Sequence, residues 1–346
     1  MAQPGVSVTK GRGSELMGTH ALGDEPLVSV VMPAYNAGRY VAEAIESVRA
    51  QSYNQWELIV VDDGSQDTTA EVVGGFASRD ARIKFLRRQN GGQGAARNTA
   101  LARAHGLLVA FLDADDLWMP NKLSLQVSAL IEMGAQVVFS DGFYFTDDDT
   151  SDESLPFETM KGKFAGEEMF KLLFAYNRIH VLSVLVKRDA LDAVGLFEES
   201  RLCQNCEDYD LWIKLARDGA VFYGMHEHLV RYRRHAGSMT ASQVKALTPM
   251  IATLKKYASD IRLSPVLVRR RLRQLYRSLL PALIDEGKLS QARECAEELY
   301  ALDQFGIISL LQRLVVRTAP HNFNFVSRQL YRVEWRLLKL AGGTKE

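Results

Sequence analysis

The sequence predicts an α/β protein with a mostly parallel open sheet flanked by helices, followed by a small C-terminal helical domain. Between residues 27 and 139, short apolar runs alternate with amphipathic stretches, which is typical of repeated βαβ units. The apolar runs are nearly continuous in Val, Leu and Ile, so the strands should be buried on both faces of the sheet. From about residue 241 onward, apolar residues recur at helical spacing.

Five apolar runs are the predicted strands of this sheet, and the stretches between them are the predicted helices. The strands are expected at residues 27–32, 58–61, 83–86, 107–112 and 137–139. The helices are expected at residues 40–48, 71–76, 95–104 and 122–133. Because crossovers between parallel strands are right-handed, the loops after the strands should meet at one edge, where open α/β sheets bind ligands.

The chain divides into three expected parts. Residues 1–26 combine Gly, Ser, Thr and mixed charges without an apolar core segment, which predicts a flexible tail that is neither a signal peptide nor a membrane anchor. Residues 27–240 form the expected α/β domain, and residues 241–346 form the expected helical domain. No stretch reaches the roughly 20 apolar residues that a membrane-spanning helix needs.

The last segment of the helical part, residues 326–340, has a distinct pattern. It places leucines on one stripe of a helix and Arg328, Arg332, Arg336 and Lys339 nearby. A basic amphipathic helix of this kind is suited to an anionic membrane surface, which predicts peripheral membrane contact. Packing against its own domain is the more common use of such a helix.

Charge and cysteine content exclude some classes of protein. The 42 basic and 42 acidic side chains cancel, so no global charge attracts the chain to nucleic acid or to a membrane. Three cysteines are an odd number that does not suit a secreted disulfide framework, and we expect a reducing, cytoplasmic compartment. Cys203 and Cys206 have the spacing of half a zinc site, but no second pair follows, which favours incidental thiols.

The strongest chemical signal is Asp113-x-Asp115-Asp116, directly after the fourth apolar run. Carboxylates at a strand end can share a divalent cation, since Mg²⁺ prefers one or two protein carboxylates together with substrate phosphates. A D-x-D pattern alone is equally typical of a loop whose acids cap a helix.

A second acidic run, Asp62-Asp63-Gly64-Ser65-x-Asp67, follows the second predicted strand. Its carboxylates can accept hydrogen bonds from a base or a ribose. The same residues also suit a β-to-α turn in which Asp67 caps the next helix. Both interpretations hold together if Asp62 faces the ligand crevice while Asp67 caps the helix.

The glycine-rich loop before residue 95 resembles a dinucleotide fingerprint, but Arg97 stands where that motif requires Gly or Ala. The Rossmann motif therefore fails. Arg97 lies about one turn into the following helix, where it could donate to phosphate oxygens. A plain surface arginine remains the alternative.

Two further clusters lie beyond residue 200. Glu207-Asp208-Tyr209-Asp210 opens an amphipathic helix, where acids are favoured by the helix dipole and where a carboxylate could also deprotonate an acceptor hydroxyl. Arg231-Tyr232-Arg233-Arg234-His235 is a short basic run in a neutral chain, which is weak support for nucleic-acid binding and fits phosphate binding better.

Taken together, these clusters resemble the family-2 glycosyltransferases, whose fold is the GT-A type, over residues 27–240. Each element is weak alone, but their order and spacing are specific. The matching elements are Val28-Ser29-Val30-Val31-Met32-Pro33-Ala34-Tyr35-Asn36, Val61-Asp62-Asp63-Gly64-Ser65, Ala96-Arg97-Asn98, Asp113-Ala114-Asp115-Asp116 and Glu207-Asp208.

The resemblance implies where a nucleotide sugar binds. Pro33, Tyr35 and Asp62 should surround the base, and Asp113 should lie near the ribose. Asp115 should bind the metal, Mn²⁺ or Mg²⁺. Arg97 and His235 should help to hold the diphosphate of the nucleotide sugar or its metal ion.

The resemblance also implies the chemistry. Asp208 should be the general base, with Glu207 and Asp210 as supporting acids. A metal-stabilised leaving group and a base on the opposite side of the sugar ring give inversion without a covalent intermediate. The expected activity is therefore transfer of a sugar from a nucleotide diphosphate donor, a UDP-sugar by this resemblance, to the hydroxyl of a saccharide or lipid-linked acceptor, in the synthesis of a cell-surface glycan.

Two other classes of function stay open at this stage. A nucleotidyltransferase also uses strand-end carboxylates and Mg²⁺, but the first strand is not followed by a glycine-rich loop with Arg and Lys that would grip a triphosphate. A non-catalytic sugar-nucleotide sensor could keep the fold, although binding alone would not need both Asp115 and Asp208.

Overall fold

The structure is a computed structural model, and it describes residues 25–147, 155–200, 203–235, 242–302 and 307–318. Most of the expected N-terminal tail and the basic segment 326–340 therefore lie outside the described residues. Within the described ranges, no helix is both long enough and apolar enough to cross a bilayer.

All five predicted strands are present and run in the same direction. They are β1 (Val28–Ala34), β2 (Trp56–Asp62), β3 (Ile83–Arg87), β4 (Leu108–Phe111) and β6 (Val137–Phe145). β1 and β2 are each buried at every position, as expected for strands that are covered on both faces. The predicted helices lie between these strands as α1 (Val41–Arg49), α2 (Thr69–Ala77), α3 (Gln93–Leu101) and α4 (Lys122–Glu132).

The complete sheet contains strands that the sequence pattern does not show. The added strands are β5 (Leu117–Trp118), β7 (Leu155–Phe157), β8 (Gly162–Ala165), β9 (Leu185–Lys187) and β10 (Val221–Arg233). In the described residues the strand order is β3-β2-β1-β4-β9-β6-β10-β5, with β7 beside β6 and β8 beside β10. β9 runs antiparallel between β4 and β6, and β10 runs parallel to β6. The result is the open, mostly parallel sheet that the sequence predicts, extended by short antiparallel strands.

Three helices and a 3₁₀ turn link the later strands. They are α5 (Gly166–Ala175), the 3₁₀ turn Val181–Ser183, α6 (Arg188–Val194) and α7 (Glu207–Arg217). α7 packs against α5 and α3, which places its first turn beside the carboxyl edge of the sheet.

In the part of the chain that the structure describes, four helices follow the sheet, as the sequence predicts for the C-terminal part. They are α8 (Gln243–Tyr257), α9 (Pro265–Asp285), α10 (Leu289–Leu302) and α11 (Ile307–Thr318). Ser242 and Ser264 cap α8 and α9 by accepting hydrogen bonds from backbone N–H groups of the first turn. The apolar faces of these helices share one core with α5 and α7. The division at residue 240 therefore stays a prediction, since the core is continuous across it.

Candidate active site

Three polar loops meet at the carboxyl edge of the sheet. The last residues of β1 and β2 are paired in register, with Ala34 opposite Asp62. β4 lies on the other side of β1, and the N–H of Leu112 donates to the carbonyl of Val31 at 3.1 Å. The loops that follow β1, β2 and β4 are therefore neighbours, as the parallel topology predicts.

A cavity of about 220 Å³ opens at this edge. Its lining brings together carboxylates and a guanidinium from three distant segments, the loop after β4, α3 and the first turn of α7. These residues are Arg97, Asp113, Asp115, Asp116, Glu207 and Asp208. This convergence is the arrangement expected of an active site at the carboxyl edge of the sheet. It brings together every predicted acid of the metal and base clusters except Asp210.

Arg97 is the central cation of the cavity. Its side chain is 1% exposed, and its two terminal nitrogens donate to Asp113 Oδ1 and Glu207 Oε1, both at 2.6 Å. Burial alone would lower the pKa of Arg97, but the carboxylates of Asp113 and Glu207 raise it above its ordinary value. Arg97 is therefore not a surface residue. In this structure it bridges two carboxylates.

Asp208 lies in the first turn of α7 and borders the cavity. Burial, followed by the nearby Glu207, raises the pKa of Asp208 to about 7, while Arg97 acts in the opposite direction. A carboxyl group with a pKa near 7 is suited to accept a proton at physiological pH.

The other two acids of this turn have different surroundings. Glu207 is ion-paired with Arg97 inside the cavity. Asp210 is fully buried and accepts from Tyr257 Oη at 2.7 Å, with Lys214 Nζ at 2.9 Å. Residues two apart on a helix point about 200° apart, so Asp208 and Asp210 face opposite sides of α7. In this structure Asp210 joins α7 to α8, and its supporting role in the site stays a prediction.

The Asp113-x-Asp115-Asp116 loop is held in place by β10. The carboxylate of Asp116 accepts from the backbone N–H of Arg233 at 2.8 Å, and Arg233 Nε donates to the carbonyl of Asp115 at 2.8 Å. The guanidinium of Arg233 is buried and also pairs with Glu43 and Asp147. Within the basic run 231–235, Arg233 is thus a structural residue and not a phosphate ligand.

The two predicted metal ligands, Asp115 and His235, lie next to each other in the structure. His235 Nε2 lies 3.1 Å from Asp115 Oδ2. Burial and the neighbouring Asp113 raise the pKa of Asp115, and His235 lowers it. The described residues contain no group of three or more acidic, His or Cys side chains that could hold an ion by themselves. A carboxylate with an imidazole fits a divalent cation whose other ligands are donor phosphates.

The predicted base-binding residues lie beside the cavity and not in its lining. Pro33 is buried in β1, whereas Tyr35 is 53% exposed at the end of that strand. Asp62 is fully buried, and its Oδ1 accepts from the N–H of Ser65 at 2.8 Å. Asp62 Oδ2 lies 3.2 Å from Arg87 Nε but has no well-aligned hydrogen-bond donor among the described residues.

The loop after β2 is organised by its acids and its glycine. Gly64 has a φ of +84°, a conformation that residues with a side chain rarely adopt. Asp63 accepts from the N–H groups of Gly91 and Gly92, at 3.0 and 2.7 Å, and so fixes the loop before α3. Asp67 accepts from the N–H of Thr69 at 3.0 Å, which confirms its predicted place at the start of α2.

Apart from Tyr232 of the basic run, one wall of the cavity has no counterpart in the sequence predictions. It consists of residues 177–182, with Asn205 and Tyr232. His180, Tyr144 and Tyr232 form an aromatic cluster with ring centroids 5.7 to 6.0 Å apart. Burial lowers the pKa of His180 to about 4, so its ring is neutral at physiological pH. Residues 177–182 and Asn205 lie in segments without a clear periodicity or motif, so no sequence signal identifies them.

Comparisons with known proteins agree with this fold. Residues 29–194 match the family model described as "Glycosyl transferase family 2". The putative teichuronic acid biosynthesis glycosyltransferase TuaG of Bacillus subtilis is 32% identical over 231 residues, covering 64% of this chain and 84% of TuaG. The UDP-Glc:alpha-D-GlcNAc-diphosphoundecaprenol beta-1,3-glucosyltransferase WfgD of Escherichia coli is 35% identical, covering 57% of this chain and 73% of WfgD.

Solved structures show the same fold at low sequence identity. Residues 1–349 of S. aureus TarS, in complex with UDP-GlcNAc, match with a TM-score of 0.62 and 18% identity, covering 88% of this chain and 92% of that one. The mannosyltransferase PcManGT from Pyrobaculum calidifontis, in complex with GDP-Man and Mn²⁺, matches with a TM-score of 0.56, covering 92% of this chain and 88% of that one. The fold is therefore of the GT-A type. With relatives of this similarity over most of their length, the chain belongs to glycosyl transferase family 2 and is a glycosyltransferase that acts on a nucleotide sugar.

Proposed function

We propose that this glycosyltransferase inverts the configuration at the anomeric carbon of the donor sugar and is assisted by a divalent metal. Its proposed donor is a UDP-sugar, and its proposed product is an extended cell-surface polysaccharide or glycolipid. The observation that carries the proposal is the single cavity in which Asp208, with a pKa of about 7, lies beside the Asp113 and Asp115 loop. A base and a carboxylate loop that can hold a divalent cation for the diphosphate, both on one cavity, are what a direct displacement of a nucleoside diphosphate needs.

Asp208 is the proposed general base. Its carboxylate borders the cavity and would take the proton of the acceptor hydroxyl as that oxygen attacks the anomeric carbon. Glu207 is occupied by Arg97, and Asp210 lies on the other side of the helix, so Asp208 is the best placed of the three acids. The hydroxyl displaces the diphosphate directly, and no covalent intermediate on the protein is required.

The pH dependence of transfer should report on this base. Because Asp208 must be ionised to accept a proton, kcat/KM should be nearly constant above its pKa of about 7 and should fall about tenfold per pH unit below it. Initial rates between pH 5 and 9 at subsaturating acceptor would show this limb. A rate that stays constant down to pH 5 in the folded enzyme would contradict the assignment of the base.

Asp115 and His235 are the proposed protein ligands of Mn²⁺ or Mg²⁺. When bound, such a cation stabilises the negative charge on the departing diphosphate. The loop that carries Asp115 is fixed by Asp116 and Arg233, so the ligand is held in position before the donor arrives. Arg97 neutralises Asp113 and Glu207 and limits the negative charge that the diphosphate meets.

The nucleotide is proposed to lie over the loops after β1 and β2. Tyr35 offers an exposed ring for stacking, and Pro33 and Asp62 border it. Asp113 reaches the cavity and would accept from the ribose. The TarS structure is a complex with UDP-GlcNAc and WfgD is a UDP-Glc glucosyltransferase, which supports a UDP-sugar for this chain.

The acceptor is proposed to be a saccharide or a lipid-linked saccharide. WfgD uses a diphosphoundecaprenol-linked sugar and TuaG is assigned to teichuronic acid synthesis, which supports this class. The wall formed by residues 177–182 and Tyr232 faces the same cavity and is the proposed acceptor side. The predicted cytoplasmic location, and the membrane contact through residues 326–340, remain predictions.

The decisive experiment is a screen of nucleotide sugars for metal-dependent release of nucleoside diphosphate. With the correct donor, chelation by EDTA should abolish release, and Asp115→Ala should lower it by about a hundredfold, in the range found for removal of one group that stabilises developing charge. Asp218→Ala, an exposed acid at the end of α7, is the matched control and should leave release unchanged. Release that is insensitive to EDTA and to Asp115→Ala would refute the metal assignment, and binding of a donor without any release would favour a non-catalytic sensor.

A further inference from the structure

The charges of this neutral chain are unevenly distributed. Between residues 243 and 285, from the start of α8 to the end of α9, the sequence contains nine basic side chains and two acidic ones, Asp260 and Asp285. The basic residues are Lys245, Lys255, Lys256, Arg262, Arg269, Arg270, Arg271, Arg273 and Arg277. Because the whole chain has 42 charges of each sign, helices α8 and α9 form a local cationic region that the overall charge conceals.

Several of these cations are paired inside the protein. Asp260 pairs with both Arg217 and Arg262, and Lys255 pairs with Glu298. Arg269 and Arg270 differ, since they are exposed and form no ion pair within the ranges that the structure describes. They lie in the second turn of α9, near the end of the helix that joins it to α8.

Two aliphatic side chains are exposed at the same end of α9. Ile261, in the turn between α8 and α9, is 99% exposed, and Val266, in the first turn of α9, is 75% exposed. Ile261 lines a shallow depression together with Pro265 and Leu267. An isolated exposed aliphatic residue is ordinary, but two beside unpaired arginines form a surface with both apolar and cationic character.

Helical spacing places these groups on one face. Val266, Arg269, Arg270 and Arg273 follow the pattern i, i+3, i+4 and i+7, which is one side of a helix. The buried side of α9 carries Leu272, Leu275, Tyr276, Leu279, Leu280 and Leu283. α9 is therefore amphipathic, with an apolar face inside the protein and a basic face outside.

We propose that the α9 tip, defined as Ile261, Val266, Arg269 and Arg270, docks on the surface of an anionic phospholipid bilayer. Aliphatic side chains enter the boundary between headgroups and acyl chains, while guanidinium groups bind lipid phosphates in the headgroup layer. Nucleic acid fits less well, because exposed aliphatic residues add nothing to phosphate binding and no aromatic side chain belongs to the tip. The inference goes beyond the transfer reaction, which proceeds in the cavity whether or not the tip is bound.

The test is co-sedimentation of the full chain with phosphatidylcholine vesicles that do or do not contain phosphatidylglycerol. Wild-type protein should pellet with the anionic vesicles and stay in solution with pure phosphatidylcholine. The pair Arg269→Gln and Arg270→Gln should lower the partition constant by about 25-fold, since each basic residue near an anionic surface contributes about fivefold. The pair Ile261→Ser and Val266→Ser should weaken binding to the anionic vesicles as well. This loss comes from the aliphatic contact, so it should be distinct from the loss that high salt causes by screening the arginines.

The matched control is the pair Arg79→Gln and Arg103→Gln, two exposed arginines on the sheet domain that remove the same charge. Far-UV circular dichroism and nucleoside diphosphate release confirm that each variant is folded. Equal loss of pelleting in the control and the tip variant would mean that only net charge matters, and would overturn the proposal. Unchanged pelleting of the tip variants would overturn it too, as would binding of duplex DNA through Arg269 and Arg270 without any binding of vesicles.

Discussion

Asp208→Asn should lower the rate of sugar transfer by about a thousandfold, while the affinity for the nucleotide donor stays within about twofold of wild type. The amide has nearly the shape of the carboxylate but cannot accept the proton of the acceptor hydroxyl. The proposed donor contacts come from Asp62, Asp113 and Asp115, which belong to other segments.

The measurement combines kcat for transfer with titration of the nucleotide by calorimetry. Asp218→Asn, on the exposed end of the same helix, makes the same chemical change outside the cavity and should have no effect on either quantity. A parallel loss of transfer and of nucleotide affinity in Asp208→Asn would show that Asp208 binds the donor, and the base would have to be sought elsewhere.

Arg97→Gln should destabilise the protein by about 3 to 5 kcal/mol, because it removes the cation from a buried network and leaves its carboxylates uncompensated. Arg97 is 1% exposed and pairs with Asp113 and Glu207, which is 3% exposed. The glutamine can donate hydrogen bonds but carries no positive charge. Urea unfolding at pH 8 measures the loss of unfolding free energy.

A second variant separates charge from packing. The double variant Arg97→Gln with Glu207→Gln lacks one buried charge of each sign. Its free energy of unfolding should therefore recover part of the loss seen in Arg97→Gln alone. Arg103→Gln, an exposed arginine just after α3, is the control and should change the unfolding free energy by less than about 0.5 kcal/mol. A loss below about 1 kcal/mol in Arg97→Gln would show that the network is not an ionic one.

The network around Arg97 also affects the protonation of Asp208. Asp208 must be able to hold a proton briefly, and burial beside Glu207 raises its pKa toward 7. Arg97 pairs with Asp113 and Glu207 and also lowers the pKa of Asp208, against the effect of burial. A change in Arg97 is therefore expected to shift the pH profile of transfer as well as the stability.

The C-terminal helices contribute to this geometry from outside the cavity. Tyr257 Oη and Lys256 Nζ, both at the end of α8, reach Asp210 at 2.7 and 3.3 Å. Asp210 is two residues from the proposed base on the same helix. Any movement of α8 is thus transmitted to α7, which gives the helical part a structural role in positioning the site.

Local pattern was enough to predict the fold and the polar edge of the sheet. Continuous apolar runs can only be buried in a sheet covered on both faces, and parallel strands necessarily place Asp62 and Asp113 at neighbouring carboxyl ends. The short strands β5 and β7 to β9 escaped prediction, because a strand of two to four residues carries too little periodicity to be recognised.

The sequence by itself determined the family and the α/β architecture, and it predicted the acids and Arg97 that the structure brings to one cavity. Only the tertiary structure decided what each of those residues does: that Arg97 bridges two carboxylates, that Arg233 holds the acidic loop, and that Asp210 leaves the cavity for α8. The physical reason is that residue type fixes which interactions a side chain can make, whereas burial and charged partners from distant segments fix which of them it makes.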